Sequence, residues 1–155
     1  IEATLEAIYK LDKPTLWFWP NVDAGADGTS TGIRAFREQH QLPNVHFFKN
    51  MEGMDFLQLL QHCDCLIGNS SVGIRECAFL GVPVINIGSR QNRRDRAENT
   101  VDVDYAQAQI EEAILASIHK GKTKSSSIYG SGKAGVQIAN LLAEVPLQFH
   151  KTIMY

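Results

Sequence analysis

Apolar positions along the chain alternate between two spacings, one helical and one extended. Ala3, Leu5, Ile8 and Tyr9 lie on a helical stripe that closes before Pro14, and Thr15 to Trp19 then carries bulky residues suited to a strand. After the polar stretch NVDAGADGTSTG, residues Ile33 to His40 predict a helix, and Val45 to Phe48 a short strand bounded by Pro43 and Asn50. Phe56, Leu57, Leu59 and Leu60 return to helical spacing, followed by a strand over Cys65 to Ile67 and a helix over Ile74 to Leu80. A fourth strand, Val82 to Ile87, is introduced by Gly81 and Pro83, and Val101 to Val103 is a short fifth. Ile110, Ala113, Ile114 and Ile118 form the apolar face of the next helix. The run KGKTKSSS from Lys120 to Ser127 has the composition of an exposed connection, and a last helix carries Ala134, Ile138, Leu141, Leu142 and Val145.

Strands that read as apolar runs, separated by helices and without internal repeats, predict an α/β fold: a mostly parallel sheet with helices on both faces. In such sheets ligands sit at the carboxyl ends of strands. Attention therefore falls on the loops after Trp19, Phe48, Ile67 and Ile87. The length of 155 residues fits one domain spanning 1–155.

Composition narrows the partners. With 44% hydrophobic and 21% charged residues and a net charge of -2, the chain has no global field to draw nucleic acid or an anionic membrane. Its apolar runs are too short to span a bilayer, and IEATLEAIYKLDKP has acidic residues where a signal peptide needs basic ones, so a cytoplasmic location is expected. Cys63, Cys65 and Cys77 have no disulfide-framework spacing, and no second Cys/His pair completes a zinc site, so they read as buried free thiols. His40, His46, His62, His119 and His150 are scattered, without nucleophile or metal-ligand spacing.

The loop after the third strand reads GNSSVGIRE, Gly68 to Glu76. Free N–H groups at a helix start favour an anion, small residues let a phosphate approach, and Ser70 and Ser71 add hydroxyl donors. Ordinary N-capping by one serine is the alternative. Glu76, placed one turn into a helix starting near Gly73, suits a ribose diol or merely the helix dipole; Arg75 points to another face, toward solvent or a salt bridge. The loop after the fourth strand, GSRQNRRDRAEN, carries Arg90, Arg93, Arg94 and Arg96. Arg90, nearest the strand, is the candidate for phosphate oxygens, while interleaved Asp95 and Glu98 suit a solvated charged loop for the others. Asn21 and Asp23 after the first strand can face a base or cap a helix; Trp17 and Trp19 read as core. Neither a G-x-G-x-x-G nor a G-x-x-x-x-G-K-[ST] motif is present.

Taken together, FWPNVDAG, CLIGNSSVGIRECAFLGVPVINIGSRQ and IYGSGKAG resemble the C-terminal half of the UDP-N-acetylglucosamine 2-epimerases, closest to the hydrolysing branch that yields N-acetylmannosamine and UDP on the way to sialic acid. The resemblance implies one Rossmann-like half of a GT-B-type enzyme, with the nucleotide sugar between two halves. It implies Ser70, Ser71 and Arg90 at the diphosphate, Glu76 at the ribose, and Asn21 and Met51 on the uridine side. It further implies anti elimination of UDP followed by water addition, with no cofactor and no metal, on acid/base groups from an N-terminal half absent here. No catalytic residue is then expected in this chain, which should bind UDP or UDP-N-acetylglucosamine weakly and turn over nothing; the parent is expected to be a homo-oligomer. Ser131 stands where the family carries an aspartate, and Asn50, beside Lys49, stands where animal members carry a histidine of a feedback site. The donor half of a GT-B glycosyltransferase and a non-catalytic UDP-binding module are the competing readings.

Overall fold

The computed structural model describes residues 1–21 and 25–146. Asp23 and His150 lie outside the described residues. The elements run α1 (Glu2–Leu11), β1 (Thr15–Phe18), α2 (Ala26–Gln39), β2 (Val45–Phe48), α3 (Gly53–His62), β3 (Leu66–Gly68), α4 (Ser71–Ile74), α5 (Glu76–Leu80), β4 (Val84–Ile87), β5 (Thr100–Val103), α6 (Gln107–Lys120) and α7 (Ala134–Glu144). No helix among them is long and apolar enough to cross a membrane.

The expected parallel pairing is observed in two hydrogen-bonded sheets. β1 pairs with β2, Thr15 opposite Val45 through Phe18 opposite Phe48, and β3, β4 and β5 form a three-stranded sheet in that order. Side chains of β4 alternate between two cores, as the pleat requires. Ile85 and Ile87 join Ala7 and Ile8 of α1 and Ile110, Ala113 and Ile114 of α6 on one face, while Val84 and the preceding Val82 pack with Leu60 of α3 and Cys77 of α5 on the other. β4 thus has helices on both faces, which explains why all four of its residues are buried. A third cluster of Leu5, Ile33 and Phe36 takes in Trp17, Trp19 and Phe47; Trp17 also touches the first cluster and so joins the two ladders through packing. Lys10 reaches Glu111 at 2.6 Å, tying α1 to α6.

Several expectations change. The second helix begins at Ala26, inside the polar stretch, and not at Ile33. The fourth strand begins at Val84, because Pro83 has no N–H for the ladder; its carbonyl accepts from the Leu66 N–H at 2.8 Å. The run Lys120 to Ser127 is a largely exposed connection, as expected, but it is tied down: the Thr123 N–H donates to the Gly81 carbonyl, the Ser126 N–H to that of Ala78 (both 2.9 Å), and the Lys122 ammonium to that of Gln61. Backbone groups make most of these contacts, which is why a polar composition concealed them. The last helix forms as expected, yet its Ile138, Leu141 and Leu142 are more than half exposed.

Candidate functional site

β3 ends at Gly68, whose φ of 141° belongs to glycine alone, and the chain turns there into Asn69 and Ser70. Ser70 caps α4: its hydroxyl accepts from the Val72 N–H at a long 3.4 Å, and its carbonyl accepts from Gly73. The capping alternative is therefore realised, loosely, by one serine, and Ser70 remains exposed with Ser71 half-buried beside it. Gly73 is buried hard against the sheet; a Cβ there would stand 2.8 Å from Val84 Cγ1. Glycine at this position lets α4 lie close over the first residues of β3 and β4.

The single helix expected from Gly73 to Leu80 is broken. Arg75, with φ -100° and ψ -68°, closes α4 and opens α5, so Glu76 is the first residue of a second short helix and not one turn into the first. Arg75 is exposed and forms a salt bridge, as expected of it, and the partner is its neighbour: its guanidinium pairs with Glu76 Oε1 at 3.0 Å. Glu76 Oε2 is buried with no hydrogen-bond partner. A carboxylate oxygen in that position is costly unless a donor arrives.

The loop after β4 folds back on its neighbours. Gly88, at φ 75°, donates to the Val103 carbonyl at 2.9 Å, and the Tyr105 ring occupies the space a Cβ would need. Arg96 is engaged by Asp102 of β5 at 3.1 Å, with a further bond to the Arg94 carbonyl at 2.7 Å. Arg96 is thus half-buried and paired with a strand residue, not simply part of the solvated charged loop that composition favoured. Asn86, buried in β4, donates to the same Asp102 at 2.6 Å. Burial pushes the Asp102 carboxyl up, but the Arg96 and Asn86 hydrogen bonds and the guanidinium charge outweigh it and hold it below the usual carboxylate range. Arg90, Arg93 and Arg94 are exposed. The Tyr129 hydroxyl donates to the Asp95 carbonyl at 2.9 Å, bringing the YGSG segment onto this loop.

One side chain ties the two loops together. Gln91, 3% exposed, donates from Nε2 to the Asn69 carbonyl at 2.7 Å, and its Oε1 is buried without a partner. Sequence reasoning passed over Gln91 and Asn86; the available signals were a neutral amide amid four arginines and an amide inside an apolar strand.

The structure thus brings Ser70, Ser71, Glu76 and the loop of Arg90 to the carboxyl edge of β3 and β4. Asn21 and Met51 lie at the carboxyl ends of β1 and β2, in the other ladder; Asn21 is exposed, and the Met51 N–H donates to Asn50 Oδ1 at 2.9 Å. Two concavities of about 370 and 350 Å³ lie elsewhere, beside Arg37 and Phe47 and beside Val101 and Ala116. The serine loop lines neither.

The profile of the family described as UDP-N-acetylglucosamine 2-epimerase matches residues 1–143. A hydrolysing UDP-N,N'-diacetylbacillosamine 2-epimerase of Legionella pneumophila is 32% identical over 146 residues, 94% of this chain and 38% of that protein. A UDP-N-acetylglucosamine 2-epimerase of Neisseria meningitidis serogroup B is 30% identical over 116 residues, 74% of this chain and 29% of that protein. A hydrolysing GDP/UDP-N,N'-diacetylbacillosamine 2-epimerase of Campylobacter jejuni is 33% identical over 105 residues, 66% and 27% of the two chains. The chain spans about a third of the length of these relatives, and over that span it belongs to the UDP-N-acetylglucosamine 2-epimerase family.

Proposed function

We propose that this chain is the nucleotide-binding half of a UDP-N-acetylglucosamine 2-epimerase of the hydrolysing kind. The observation that carries the reading is the orphaned Glu76 Oε2, buried where a ligand diol would supply the missing donors, a few residues beyond two serines at the start of α4. Ser70 and Ser71, with Arg90 from the neighbouring loop, hold the diphosphate; Glu76 holds the ribose; Asn21 and Met51 face the uridine. The Arg75 guanidinium engages Glu76 Oε1 and leaves Oε2 for the ligand.

In this reading the chain's residues anchor the leaving group. Anti elimination transfers UDP from the anomeric carbon to this site, and hydroxyl and backbone donors around Ser70 stabilise the charge on the departing phosphate oxygen. Water then adds to the resulting glycal on the opposite face. Both proton transfers at the sugar belong to an N-terminal half, so the chain alone binds UDP weakly and releases no N-acetylmannosamine.

Calorimetric titration with UDP tests this. Glu76→Ala removes a charged hydrogen-bond acceptor and is expected to weaken binding roughly 10- to 100-fold. Replacing Ser70 and Ser71 together with alanine should weaken it too. Binding that ignores both changes refutes the assignment.

A further inference from the structure

Gln91 is left unexplained by the arrangement above. Its side chain is held between two loops, one end is committed to the Asn69 carbonyl at 2.7 Å, and the other end, Oε1, is buried without a donor. The orientation follows from chemistry, since the reversed amide would set oxygen against the Asn69 oxygen. Oε1 is therefore an acceptor. A diphosphate, which has no donors when ionised, cannot satisfy it; a hydroxyl can.

The order of groups along the loop says which hydroxyl. Glu76 stands at one end of the stretch, Ser70 and Ser71 in the middle, and Asn69, with Gln91 fastened to it, at the other end. A ligand laid with its ribose at Glu76 and its diphosphate over the serines brings the group beyond the diphosphate to Gln91. We infer that Gln91 Oε1 accepts a hydrogen bond from a hydroxyl of the sugar attached to the diphosphate, so that this half of the enzyme reads the sugar as well as the nucleotide. The inference rests on the nucleotide-sugar reading of the site. Glu76 and Gln91 then form the two acceptor ends of one ligand track, each made complete by ligand hydroxyls.

The test compares two ligands and one substitution. UDP and UDP-N-acetylglucosamine are titrated into the chain and into Gln91→Met, which keeps the side-chain length while removing both amide functions. The expected result is a loss of roughly 3- to 10-fold for the sugar nucleotide beyond any loss for UDP, the worth of about one hydrogen bond. A merely structural strut would weaken both ligands by the same factor, and that outcome overturns the inference while leaving the nucleotide reading standing. Monodeoxy analogues of the sugar, titrated into the unsubstituted chain, give a second arm that does not depend on how the variant folds. One of them should bind several-fold more weakly than the parent sugar nucleotide, and that analogue should lose nothing further on Gln91→Met. If every deoxy analogue binds as the parent does, Gln91 touches no sugar hydroxyl. If the unsubstituted chain binds neither UDP nor its sugar conjugate, the nucleotide-site proposal falls first and this one with it.

Discussion

Gly73→Ala probes the contact that seats the serine loop. The added methyl would stand 2.8 Å from Val84 Cγ1 and 3.5 Å from Leu66 Cδ2, so something must move. Val84 cannot give easily: it is 2% exposed, β-branched, and held in the middle strand of a three-stranded ladder. Overpacking of this kind costs about 1–3 kcal/mol. Against it stands the helix preference of alanine over glycine, worth about 0.5–1 kcal/mol. The packing term wins, and the net expectation is a destabilisation of about 1–2 kcal/mol, read from the urea midpoint at constant slope. A double-mutant cycle isolates the cause, because Val84→Ala vacates the space the new methyl needs. In the Val84→Ala background, Gly73→Ala should be neutral or stabilising, giving a coupling of about 1–3 kcal/mol. UDP affinity should fall with the single change, since α4 and its serine cap move with Gly73. The reasoning fails if Gly73→Ala raises the midpoint in the parent background, or if the cycle shows no coupling.

The other expectations follow from the same geometry. Gly28→Ala, in α2 with open space around its would-be Cβ, should stabilise the chain by about 0.5–1 kcal/mol in the same assay. Gly81→Ala should do the reverse by about 2–3 kcal/mol, because φ is 69° there and the methyl would strike the Thr123 carbonyl; a midpoint unchanged from the parent would contradict this. Burial, reinforced by neighbouring Cys63 and Glu76, pushes the Cys77 thiol up to about 12, and Cys77 should resist iodoacetamide in the folded chain and react on unfolding. With a folded value above the unfolded one, the native state holds the proton longer, so this thiol's contribution to stability is full below about pH 9 and declines as pH climbs toward about 12. Urea midpoints measured from pH 8 upward would show that decline, and Cys77→Ala would lessen it.

The alternation of strand and helix was legible in the sequence because β4, packed on both faces, and β2, half-buried, each follow a simple burial pattern. The break at Arg75 was not. Helical spacing continues through it, and nothing in composition distinguishes an Arg–Glu neighbour pair at a helix junction from one on a continuous helix. Candidate residues Ser70, Ser71, Glu76 and Arg90 were found by their types and by the loops they occupy. Gln91 was not, because its meaning lies in a contact across 22 positions with a backbone carbonyl, which no side-chain pattern records. The role of Asp102 was hidden similarly: Arg96 lies beside Asp95 in sequence but beside Asp102 in space.

The clasp formed by residues 122 to 126 has a consequence for engineering. By composition KGKTKSSS would be chosen to receive an inserted tag, a protease site or a new chain terminus, since polar tracts are where such cuts are usually tolerated. Here the cut would release the backbone that closes over the ends of α3 and α5, at Gln61, Ala78 and Gly81. Residues Gly130 to Gly132, exposed and with left-handed glycines at both ends, offer the safer point of entry two turns of chain later.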